Sequence, residues 1–155
     1  MIGMLLPMAL AMAPAAADRP DLSRIASTTT LQGTCQKLIL PGGGDNTARC
    51  AGKIARIAYR DGRSSFRIAV AGNILIGFYG NEGTANGDTA TLAITKILVT
   101  LPFAKGADVL DADGECRFTD SGADPAHIEC KATRPGEVYE LSFASDGNPP
   151  TVERF

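Results

Sequence analysis

The chain has no tryptophan and a single histidine, and aromatic residues make up only 6% of its 155 positions, so its core must be aliphatic. With His127 as the one imidazole, a zinc cluster or a nucleophilic triad has little to draw on. None of the four cysteines stands at C-x-x-C spacing, which removes the usual signature of a thioredoxin-like redox centre. An excess of basic residues is also missing. Fifteen Lys and Arg face seventeen Asp and Glu, a net charge of −2 that argues against a general nucleic-acid binder. No motif names a cofactor or a metal, and none is expected.

No charged side chain precedes Asp18. The opening run, Met1 to Met12, is apolar and is followed by Ala13-Pro14-Ala15-Ala16-Ala17. An apolar stretch closed by an Ala-x-Ala site outlines a secretory signal peptide, here lacking the usual basic residues at its start. The spacing predicts cleavage after Ala17 and a periplasmic or secreted product. The run is too short and Pro-broken to span a bilayer, which takes about 20 apolar residues, so no transmembrane span is expected after cleavage. The domain plan is then a signal peptide over 1–17, a loosely ordered lead-in over 18–30, and one β domain over 31–155.

Four cysteines in an exported chain of this size read as two disulfides. Sequence proximity suggests two stapled hairpins, Cys35 with Cys50 and Cys116 with Cys130. In the second hairpin, setting Cys116 opposite Cys130 places Phe118 against Ile128 and Arg117 against Glu129, which suits both faces. In the first, Leu31–Leu40 would pair with Asp45–Tyr59 around Pro41-Gly42-Gly43-Gly44. That pairing sets Lys37 opposite Ala48, a poor core face.

Between the cysteine units the turns set the register. Asp61-Gly62 reads as a two-residue hairpin turn. It places Arg60 opposite Arg63, Ile57 opposite Phe66 and Arg56 opposite Arg67. Tyr59, Ile57, Phe66, Ile68 and Val70 then share the buried face, and Arg56, Arg60, Arg63 and Arg67 share the other. Gly52 is a candidate bulge. Gly72-Asn73 reads as a second tight turn, with Val70 facing Leu75 and Phe66 facing Tyr79. Residues 80–88 form a surface loop. Thr89–Leu101 is a long strand whose apolar parity changes near Thr95-Lys96, as at a bulge. Residues 103–113 are a connector, and Tyr139, Leu141 and Phe143 alternate along a last long strand before a short tail, Thr151–Phe155.

Seven to nine strands with mostly local connections point to an all-β fold, a small antiparallel barrel, with a two-sheet sandwich as the alternative. Charge is uneven along it. Residues 18–100 carry ten basic and six acidic side chains, and 101–155 carry five and eleven. Such a division lets two halves of one sheet attract each other, or marks a partner surface.

The arginine quartet Arg56, Arg60, Arg63 and Arg67 is the sharpest candidate site. Like charges opposed across strands are unfavourable, and guanidinium groups bind carboxylate or phosphate with two-pronged geometry. The plainer account is that these side chains splay into solvent or pair with Glu137 and Glu140. Asp111-Ala112-Asp113-Gly114-Glu115 has the oxygen density of a calcium loop but breaks the EF-hand pattern, and reads as a polar turn. His127 reads as a surface histidine. Ser121 lacks the strand–turn–helix setting of a hydrolase nucleophile. The expectation is a non-enzymatic binding module of the bacterial envelope, an inhibitor or adaptor of an envelope protein, presenting the loops Pro41–Asn46, Gly80–Asp88 and Asp120–Ala126. The alternative is a structural factor holding anionic cell-wall or lipid material on the arginine face. A small hydrolase built on His127 is the weakest reading.

Overall fold

The computed structural model describes residues 22–71, 73–119 and 126–155. The expected signal peptide and Ser121 lie outside them. Ten strands follow one short 3-10 turn: β1 (Ile25–Leu40), β2 (Gly44–Asp45), β3 (Cys50–Tyr59), β4 (Arg63–Val70), β5 (Ile74–Glu82), β6 (Thr89–Thr100), β7 (Asp108–Thr119), β8 (His127–Arg134), β9 (Glu137–Ser145) and β10 (Thr151–Arg154). Every pairing is antiparallel. β3 to β9 pair in chain order, and β1 closes the ring. Its first half, Ile25–Gln32, pairs with β3, and its second half, Gly33–Ile39, pairs with β9. The result is a closed eight-strand barrel with the short strands β2 and β10 added alongside β1.

Alternation along each strand sends one set of side chains inward. Leu38, Ile54, Phe66, Ile68, Phe78, Leu92, Ile97, Leu141 and Phe143 are fully buried there, so the barrel is filled by side chains rather than hollow. Phe66 and Phe118 meet edge to face with centroids 4.9 Å apart. A second, smaller cluster lies on the outer wall: Ile57, Tyr59, Tyr79 and Leu98, with Ile25, Ala107 and Val109 packed against it.

Tight curvature needs strands to approach closely. Gly33, Gly80 and Gly114 all face inward, and a Cβ on any of them would lie within 3.0 Å of the backbone of β9, β6 or β8 respectively. Only glycine fits at these corners. The bulge expected near Thr95 is present: Tyr79 pairs with Lys96 and Gly80 with Ile94, leaving Thr95 unpaired on that side. The parity change therefore keeps both Ile94 and Ile97 inside. The register also shifts between Cys50 and Ile54, around Gly52.

Both disulfides form as expected, Cys35–Cys50 and Cys116–Cys130. The second unit has the expected register throughout, with Cys116 opposite Cys130, Arg117 opposite Glu129 and Phe118 opposite Ile128. The first is not a simple hairpin. Cys35 pairs in the ladder with Phe143 of β9, and Thr47–Arg49 make a 3-10 turn before Cys50. The bond thus joins β1 to the start of β3 where no ladder connects them.

Several expectations are corrected. The lead-in is ordered strand from Ile25 onward, because Ser27–Thr30 hydrogen-bond to β3 on one side and to β10 on the other. Residues 108–113 belong to β7, so Asp111 and Asp113 lie along a strand and not in a turn. Most consequential are two hairpins. Tyr59 and Arg63 flank a three-residue loop, Arg60-Asp61-Gly62, in which the Gly62 amide donates to Tyr59 and Gly62 takes φ 85°. This is a turn followed by a left-handed residue, the usual three-residue hairpin. The next loop again has three residues between Val70 and Ile74, with Asn73 left-handed at φ 62°. Each extra residue slips the register by one and turns every following partner to the opposite face. Phe66 therefore faces Arg56 and Phe78, in place of Ile57 and Tyr79.

Candidate functional site: an arginine at the barrel mouth

The slipped register divides the arginine quartet. Arg56, between inward-facing Ile54 and the turn, points into one end of the barrel, while Arg63 and Arg67 point outward from β4. Arg60 sits in the turn, where its Nη2 donates to the main-chain oxygen of Phe155. The expected opposition of Arg56 to Arg67 and of Arg60 to Arg63 does not occur, and no single arginine face forms.

At the mouth, the Arg56 guanidinium stands 5.0 Å from the centroid of the Phe118 ring and forms an ion pair with Glu82, the last residue of β5. Carrying the alternation of β5 through Ile74, Ile76, Phe78 and Gly80 brings Glu82 to the inner side as well. A small cavity beside this pair is lined by Thr29, Leu31, Arg56, Phe66, Phe118, Thr119 and Ile128. Among the described residues, two polar atoms on this inner side are buried without a hydrogen-bond partner, Arg56 Nε and Ser64 Oγ. Ser64 has no exposure at all and stands opposite Ala58 and Gly80. Buried donors are almost always satisfied, so an unpaired guanidinium N–H and hydroxyl at one end of a barrel have unused capacity for a polar group. Apolar walls with hydroxyls and one guanidinium suit a short stem ending in a carbonyl or carboxylate.

The rest of the rim is loop. Residues 83–88 are exposed and closed by a main-chain bond from Asn86 to Thr89. Residues 80–82, expected in this loop, belong to β5. The end of β7 and the start of β8 complete the same end. Pro41–Asn46 lies at the opposite end, where Asn46 is buried and its side chain donates to the Gly44 carbonyl. Residues 120–125 of the third candidate loop lie outside the described residues, and the other two candidate loops do not share one rim.

Elsewhere, most charges on the strand walls are locally paired. Lys96 binds Asp111, and its hydrogen bond holds that carboxyl below the usual carboxylate range. Lys37 and Lys131 flank Glu140, and the Lys37 contact holds the Glu140 carboxyl low. Arg117 turns along its own strand to Glu115 at 2.7 Å instead of crossing to Glu129, which raises the guanidinium further. Arg134 pairs with Glu137, so neither Glu137 nor Glu140 is taken by the quartet. His127 is exposed, with its amide donating to the Thr119 hydroxyl. No group of three or more metal-ligating side chains gathers among the described residues.

Glu82 and Phe118 are the mouth residues that sequence reasoning left out of the site. The signal for Glu82 was the unbroken alternation of β5, hidden by the glycines at 80 and 83. Comparison with family models, with curated proteins and with solved structures gives no match.

Proposed function

We propose that this protein is a non-enzymatic binding module of the bacterial envelope that receives a partner protein on the rim around Arg56. The two disulfides indicate an oxidising, extracytoplasmic setting. Export by cleavage after Ala17, into the periplasm or beyond, belongs to the proposal. Because the barrel interior is filled, a partner meets the rim and not a central cavity.

The observation that carries this reading is the Arg56 guanidinium at the mouth, partly exposed beside a small cavity and with its Nε unpaired among the described residues. A partner side chain with an oxygen tip would meet the Arg56 guanidinium while the exposed loop at 83–88 supplies contact area. The role is that of an inhibitor or adaptor of an envelope protein. Crosslinking capture from envelope extract, with wild type, Arg56→Gln and a Gly/Ser replacement of residues 83–88, tests it. Recovery of one protein by wild type and its loss with either variant is expected. Recovery unaffected by both variants overturns the proposal.

A second reading, attachment to anionic envelope material, is favoured by one observation on the opposite side of the wall. Arg67 forms no ion pair among the described residues, although most other wall charges do.

A further inference from the structure

The two disulfides stand in opposite surroundings. Cys116 and Cys130 are direct partners within the β7–β8 ladder, and on their other sides they pair with Leu92 of β6 and Leu141 of β9, both buried. That bond lies inside the filled barrel, where its cysteines are 0% and 4% exposed. Cys35 and Cys50 are partly exposed, and their ladder partners are Phe143 and Val70. The β1–β3 ladder ends at Gln32 opposite Lys53, and the β1–β2 pairing begins at Ile39. Between those points the Cys35–Cys50 bond ties the seam covalently and closes residues 36–49 into a loop. Cutting it leaves the ring closed, because residues 25–32 of β1 stay paired with β3 and residues 33–39 with β9. Residues 41–49 would then be held by the two β1–β2 pairs and a few hydrogen bonds. Among these are the Asn46 amide to the Leu38 carbonyl at 2.7 Å, the Leu38 amide to the Thr47 hydroxyl at 3.0 Å, and the Ala71 amide to the Arg49 carbonyl at 2.9 Å.

We infer that Cys35–Cys50 is a thiol–disulfide exchange site, opened by a dithiol reductant while Cys116–Cys130 stays closed. Exchange begins when a thiolate reaches one of the sulfurs, so its rate depends on access. A sulfur walled in by the core is out of reach, and a thiolate released there is disfavoured by burial. At the seam, one thiolate of the reductant attacks a cysteine sulfur, forms a mixed disulfide and releases the other cysteine as thiolate. The second thiol of the reductant then displaces the remaining cysteine and closes its own disulfide. Two electrons pass from the dithiol to the protein, and its two protons end on Cys35 and Cys50. The product is a closed barrel with a loosened segment 41–49, at the end opposite Arg56. The bond is thus a redox latch on that segment, and it acts independently of the partner proposed for the Arg56 rim.

Reduction of the full chain by dithiothreitol without denaturant, quenched with iodoacetamide and mapped by mass spectrometry, tests the site. Cys35 and Cys50 are expected to become alkylated about tenfold faster than Cys116 and Cys130, or faster still. A cooperative melt should be retained once the first bond opens, and tryptic cleavage after Arg49 should accelerate several-fold. Cys35→Ala with Cys50→Ala should show the same fast cleavage without reductant. Should that variant fail to fold, chemical reduction of the wild type still answers the question. Equal rates at the two bonds, or earlier reduction of Cys116–Cys130, overturns the site. Loss of the cooperative melt when Cys35–Cys50 opens, or unchanged cleavage after Arg49, overturns the latch.

Discussion

The Arg56 guanidinium lies over the face of Phe118, 5.0 Å from its centroid, and is tied to Glu82 across the mouth of the barrel. Phe118 in turn packs edge to face on Phe66, so the mouth charge rests on the aromatic part of the core. Both members of the ion pair are about one-third exposed, which limits what the pair contributes. We expect Arg56→Gln to lower stability by about 1 kcal/mol, summing a partly solvated ion pair and a cation–π contact. A double-mutant cycle with Glu82→Gln, read by urea denaturation, should show a coupling of roughly 0.5 kcal/mol. Strict additivity would show that the two side chains do not communicate.

The corner glycines give a sharper stability test. A Cβ at Gly114 would press on the Lys131 carbonyl and on the Ala132 Cα at 2.7 Å, whereas one at Gly106 meets nothing within 4 Å. Gly114→Ala should destabilise by about 1–3 kcal/mol through overpacking. Gly106→Ala should stay within about 0.5 kcal/mol of wild type. Equal midpoints for the two variants would mean that the β7 corner is looser than described.

The two disulfides close loops of similar length, with sequence separations of 15 and 14. Chain entropy alone assigns each about 3 kcal/mol. Their surroundings differ, since Cys116 and Cys130 are buried in the main core and Cys35 and Cys50 are only partly buried. Cys116→Ala with Cys130→Ala should therefore cost more than Cys35→Ala with Cys50→Ala in denaturation midpoints. A non-reduced peptide map should contain only these two linkages, and any cross-unit bond would contradict the topology.

Glu140 predicts part of the acid limb of stability. The Lys37 hydrogen bond holds its carboxyl below the ordinary value of 4.5, with Lys131 assisting. A carboxyl lowered in the folded state stabilises fully above its unfolded value and loses that contribution as pH falls through its folded value. Glu140→Gln should therefore flatten the decline in urea midpoint as pH is lowered below 4.5. An acid limb identical to that of wild type would assign the decline to other carboxyls, Asp111 among them.

The elements legible in the sequence were those with internal checks. The β7–β8 register was readable because Phe118–Ile128, Arg117–Glu129 and the cysteines agree on one pairing. The β6 bulge was readable because Leu92 and Ile94 cannot share parity with Ile97 unless a residue is extra. The β3–β4 and β4–β5 hairpins lacked such a check. The strands on either side of β4 carry apolar residues of both parities, so Ile57 and Tyr59 could join Phe66 inside or pack outside. Asp-Gly and Gly-Asn each fit a two-residue turn, and the third loop residue decided the face. The Cys35–Cys50 disulfide forms as expected but the hairpin around it does not, because β1 changes partners partway, a long-range property with no local signal.

That change of partners on β1 also bears on how the barrel is made. Gln36 of β1 and Ser142 of β9 are hydrogen-bonded although 106 positions apart. β3 to β9 can zip together hairpin by hairpin, but the ring closes only when the second half of β1 meets β9. Non-local pairing of this kind makes folding slow. A chain emerging N-terminus first thus displays Leu38 and its neighbours before their β9 partners exist. The closing seam is the interval in which an unfinished molecule is most open to aggregation, and a chaperone that shields β1 would act there.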